Sequence, residues 1–114
     1  MEYDLEGRTL QFSKDVLKVL SNTKDNTMNR SIKSQLVRSA TSVGANYREA
    51  NGASSKKDFR NKIHICKKEI KETEYWIEIL AEIEVVKKDE LRKLWKEAHE
   101  LKLIFSKISS SLKN

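Results

Sequence analysis

The side chains most able to do acid–base or nucleophilic work in this chain are two histidines and one cysteine. Arg92 and His99 stand seven residues apart, two turns of a helix, so a helix would bring a guanidinium and an imidazole onto neighbouring surface, where such a pair can act on a phosphodiester. The spacing is a weak signal: six arginines, two histidines and a few permitted spacings give roughly 0.3 such matches by chance. His64 and Cys66 are two residues apart, which points them to different sides of a helix, and no Glu-x-x-His of the di-iron bundle type is present. Cys66 falls in an apolar seam, where it reads as an inert small hydrophobe. No catalytic residue, metal-ligand set or cofactor is assigned.

A different chemistry, neutralisation of anions, is written into the charge distribution. The formal charge is +6, but it is unevenly placed. Residues 1–28 carry four basic and five acidic side chains, residues 72–114 carry eight and nine, and residues 29–71 carry eleven and three, so the middle segment alone holds +8. Within it, Arg60, His64, Lys67 and Lys71 follow one another at helical spacing with Lys57 and Lys68 alongside, which makes a stripe suited to a nucleic-acid backbone. Beyond Lys71 the same face turns to Glu74, Glu78 and Glu82. Arg48, Lys56, Lys57, Arg60, Lys67, Lys68 and Lys71 are the candidate phosphate contacts. No aromatic-studded sheet, zinc knuckle or recognition-helix pattern accompanies them, so binding by shape and phosphate is expected rather than base reading.

The elements that must carry this stripe are helices. The chain has 114 residues, three glycines and no proline, with 35% charged residues, a composition that fits one small domain of long surface-charged helices over 1–114. Apolar residues recur at helical spacing in four stretches, about 6–21, 28–51, 55–83 and 88–112. The second stripe, Ile32, Leu36, Ala40, Val43, Tyr47 and Ala50, is rich in small residues and stops at Asn51-Gly52, where a left-handed cap is expected. Ser54 or Ser55 caps the third helix with Asp58 in its first turn. Its seam is Phe59, Ile63, Cys66, Ile70, Thr73, Ile77 and Leu80, and that of the fourth is Leu91, Leu94, Ala98, Leu101, Phe105, Ile108 and Leu112. No stretch alternates with period two. Short connections make neighbours antiparallel, which predicts an all-α, antiparallel up-down four-helix bundle.

On the third helix Ile65, Trp76, Ile79 and Ile83 gather on a second arc roughly 120° from the seam. This arc is read as a self-association surface, against the plainer alternative of a wide core face. No apolar run reaches a membrane-spanning length and the first residues are acidic rather than basic, so a cytoplasmic protein without a membrane partner is expected.

The run QLVRSATSVGANYREANGASSKKDF, Gln35 to Phe59, followed by KKEIKETEYWIEIL, Lys67 to Leu80, resembles the bacterial four-helix bundle family of the 23S ribosomal RNA intervening-sequence proteins, to which the accessory variability proteins of diversity-generating retroelements are related. The resemblance implies a homopentameric ring with a central channel and a basic surface. It also implies either no established reaction or, as for the retroelement relatives, nucleic-acid binding beside a reverse transcriptase. This chain departs from many relatives in lacking a proline before the second helix and in carrying Asn46-Tyr47-Arg48-Glu49-Ala50 where they have Asn-Ile-Ala-Glu-Gly. Gln35, Ser39, Ser42, Asn46 and Glu49 form a small polar flank on the second helix, and Arg38, Asn46, Glu49, Glu69 and Glu72 are read as structural polar residues that pair with one another. The combined expectation is a non-catalytic, oligomeric nucleic-acid-binding accessory or scaffold protein that contacts RNA or DNA through phosphates. The alternatives are a protein–protein interaction scaffold and a HEPN-like ribonuclease using Arg92 and His99.

Overall fold

The structure is a computed structural model that describes residues 4–112. Four helices, α1 (Leu5–Ser21), α2 (Arg30–Asn51), α3 (Lys56–Ile83) and α4 (Lys88–Ser111), follow one another, with a single 3₁₀ turn at Val85–Lys87 and no strand among the described residues. Each helix packs on its neighbours in sequence, and α4 returns to α1. Cross-helix bonds fix the directions. Arg38 meets Glu69 and Glu72 while Glu49 meets Lys62, so α2 and α3 run antiparallel. Arg8 reaches Glu97 and Glu100 from α1 to α4. The result is a rod of 46 × 24 × 21 Å.

The core follows the sequence stripes. Phe12, Val16, Leu36, Val43, Ile63, Ile70, Ile77, Leu80, Leu91, Leu101 and Phe105 are buried completely or nearly so; burying one such side chain stabilises the fold by roughly 1.5–3 kcal/mol. Phe59, Ile108 and Leu112, at bundle ends, are only half-buried. The small α2 residues allow α1 close: a Cβ built on Gly44 would stand 3.1 Å from the Thr9 hydroxyl oxygen. The α2–α3 seam contains a polar contact, with the buried Thr73 hydroxyl 2.9 Å from the Ser39 hydroxyl and 2.8 Å from the Glu69 carbonyl.

Local side chains set the helix ends. The Asp4 carboxylate accepts the Gly7 N–H at 3.0 Å, and the Ser55 hydroxyl accepts that of Asp58 at 3.0 Å, each satisfying an orphan donor of a first turn. Helix α2 begins at Arg30 rather than at Met28, because Asn29 is used otherwise. Its buried side-chain amide donates to the Lys24 carbonyl at 2.9 Å and to Glu84 at 2.8 Å, tying the α1–α2 connection to the end of α3. The Asn51-Gly52 stop is real but its geometry is not the left-handed cap expected: Gly52 has φ −97°, and its N–H bonds back to the Arg48 and Glu49 carbonyls.

Candidate nucleic-acid interface

Helix α3 runs 28 residues without interruption, about 42 Å of straight scaffold. Its seam faces the bundle, so the positions opposite are held at fixed intervals on the outer surface. Lys56, Lys57, His64, Lys68 and Lys71 are exposed there, while Lys67 and Arg60 are half-buried, Arg60 beside Ser111 at the end of α4. His64, Lys67, Lys68 and Lys71 together wall a shallow groove of 340 Å³. Among the described residues, none of Lys56, Lys57, Arg60, Lys67, Lys68 and Lys71 has a carboxylate within ion-pair distance. The Arg60 Nε is sealed from solvent and has no hydrogen-bond partner there. Arg48, on α2, is exposed and approaches Glu6 at 3.9 Å.

The carboxylates that follow behave differently. Glu72 accepts the Trp76 indole N–H at 2.9 Å and pairs with Arg38, which also reaches Glu69 at 3.2 Å. The Trp76 bond and then the Arg38 bond hold the Glu72 carboxyl below its ordinary pKa, while the same pairing raises that of the Arg38 guanidinium. Glu74, expected on the outer acidic face, is instead buried at 7% exposure. It lies against α4, 2.9 Å from His99 Nδ1 and 2.9 Å from Lys102 Nζ. A carboxylate so enclosed needs polar partners, and α4 supplies two from one face. Glu78 accepts the Trp95 indole N–H at 2.9 Å.

The polar residues of α2 do less across the interface than expected. Asn46 donates to the Ser42 carbonyl of its own helix at 2.8 Å, and Glu49 pairs with Lys62 at 2.6 Å, so neither meets Glu69 or Glu72. The Lys62 ammonium is shifted up by Glu49. Gln35 accepts a bond from Arg38 at 3.2 Å. Cys66 is fully enclosed and donates to the Val43 carbonyl at 3.5 Å; burial pushes its thiol up to about 12, the setting of an unreactive cysteine. Of the second apolar arc, Trp76 and Ile83 already pack against the core within one chain, and Ile65 and Ile79 are half-buried.

Arg92 and His99 have separate surroundings. His99 stacks on Trp95 with ring centroids 4.9 Å apart while bonding Glu74; Arg92 is exposed and pairs with Asp89 at 3.9 Å. No group of three or more His, Cys, Asp or Glu suited to a metal ion occurs among the described residues, and no described helix is long and apolar enough to cross a membrane.

A small antiparallel four-helix bundle with a cationic ridge on its longest helix is the class of protein these features define. The chain belongs to the 23S rRNA-intervening sequence protein family, whose model matches residues 2–107. It is similar to a crystal structure of a protein of unknown function from the S23 ribosomal protein family of Bacteroides thetaiotaomicron VPI-5482. The two share 33% identity and a TM-score of 0.80, over 91% of this chain and 96% of the other. No curated protein matches significantly.

Proposed function

We propose that the protein is a non-catalytic, self-associating scaffold that binds nucleic acid through phosphate contacts from Arg48, Lys56, Lys57, Arg60, Lys67, Lys68 and Lys71. The carrying observation is the run of six cations on α3 without acidic partners among the described residues, while Glu72, Glu74 and Glu78, within the two turns after Lys71, bond to side chains that include those of α2 and α4. Cations not used inside the fold are available to displace counterions from a polyanion. The family description names a ribosomal RNA setting, which makes RNA the first polymer to test.

Self-association is the second part of the proposal: weak contacts repeated around an assembly add through effective concentration. The proposed contact surface is the arc Ile65, Trp76, Ile79 and Ile83, and a homopentamer is the expected state. Light scattering at micromolar concentration should return a multiple of 13.3 kDa; a monomer removes the multivalent part of the proposal.

The test of the binding itself is charge reversal. Arg60→Glu, Lys67→Glu and Lys71→Glu combined should abolish binding to RNA at low salt, with helicity and assembly unchanged. Retained affinity in the folded variant would mean that the stripe only solubilises the protein, in favour of an interaction scaffold without nucleic acid.

A further inference from the structure

One exposed aromatic lies in line with the cations and has no part in the core. Tyr75 is 55% exposed. Lys57, His64, Lys68, Lys71 and Tyr75 are separated by seven, four, three and four residues, steps that keep all five on one face of α3. Tyr75 therefore stands one turn, about 6 Å, beyond Lys71 and the cationic groove. The next positions on this face are Glu78 and Glu82, so the ring marks the boundary between a surface that attracts phosphates and one that repels them.

The ring is also supported. It forms a T-shaped pair with the Trp76 ring, with centroids 5.0 Å apart and planes at 75°. Trp76 is itself fixed by its indole bond to Glu72, which Arg38 holds from α2. A tyrosine propped on one side and open on the other presents a π-face at a defined distance from a lysine. Single-stranded nucleic acid is bound by this combination, a positive groove for the backbone followed by an aromatic on which an unpaired base stacks. In a duplex the bases are stacked on each other, and only the phosphates would meet the lysines.

Resting on the phosphate-binding reading above, we infer that the α3 ridge takes an unpaired strand whose backbone runs along Lys57–Lys71 and whose base stacks on Tyr75. The ridge thereby prefers single-stranded or looped nucleic acid to a continuous duplex. No sequence preference is implied, since every base has a face to stack.

The experiment compares the intact protein with Tyr75→Ala and Tyr75→Phe. The probes are a single-stranded oligoribonucleotide of about ten residues, within the usual range of such sites, and a blunt RNA duplex of equal length, both at low salt. Tyr75→Ala should weaken single-strand binding by about 5-fold or more and leave duplex binding within about twofold, while Tyr75→Phe restores the single-strand affinity. Equal loss on both probes, no loss on either, failure of phenylalanine to restore binding, or a wild-type preference for duplex would each overturn the stacking site and leave the phosphate reading standing. Binding of neither probe by the wild-type protein would overturn both. Circular dichroism of each variant establishes that the bundle is intact.

Discussion

The two halves of α3 put their charged side chains to opposite uses. Residues 56–71 carry cations that find no carboxylate among the described residues, apart from Lys62 on Glu49. Residues 72–83 carry four carboxylates, of which three bind inward or sideways: Glu72 to Arg38 and Trp76, Glu74 to His99 and Lys102, Glu78 to Trp95. The acidic half thus spends its charge holding α2 and α4 to α3. Apart from Glu69 on Arg38 and Lys62 on Glu49, the basic half contributes little to that task, because solvated lysines gain almost nothing from the fold. Charge that does not stabilise the bundle is charge free to meet something outside it.

This contrast predicts a graded response to removing one side chain at a time. Glu74→Ala has the largest expected effect, a loss of about 1–3 kcal/mol in denaturant unfolding, because it removes a buried acceptor of two bonds and leaves Lys102 and His99 without their partner. Arg38→Ala follows at up to about 1 kcal/mol, since its pairs with Glu69 and Glu72 are partly solvated. Lys68→Ala should fall within about 0.5 kcal/mol of the parent protein while still reducing affinity for RNA. A destabilisation by Lys68→Ala as large as that by Glu74→Ala would erase the distinction between the halves.

Acid separates the halves in the same way. The Glu72 carboxyl is held below its ordinary value of 4.5 by Trp76 and Arg38. Its contribution to stability is therefore complete above that value and is lost as pH falls through the lower, folded-state pKa. Thermal melts from neutral to acid pH should show this loss, and Glu72→Gln should reduce it. The smallest effect concerns Cys66: with its thiol buried and pushed up to about 12, it should react with a thiol reagent at neutral pH only as fast as the bundle opens.

Much of this arrangement is readable from residue spacing, and the exceptions share a cause. The α3 seam from Ile63 to Leu80 is visible because every member but Thr73 is apolar and the steps alternate between three and four. Glu74 was hidden by its type. It lies four residues after Ile70 and three before Ile77, on the edge of that seam, yet a carboxylate there reads as surface until its partners are known. His99 and Lys102, three apart on α4, were the available signal: two side chains able to bond a carboxylate on one helical face, opposite an acid in the facing seam. Asn29 escaped notice similarly, since a polar loop residue gives no sign that it bridges to Glu84, 55 positions away. Ion pairs within a helix have a fixed spacing; those between helices depend on the register of the packing, which one sequence does not display.

The central claim is that the basic half of α3 is a phosphate-binding surface. Its most direct measurement is the affinity of the wild-type protein for RNA as salt is raised from low to moderate concentration. Several released counterions should give a steep, linear fall of log K with log salt. A flat dependence, or no binding at low salt, would contradict the account.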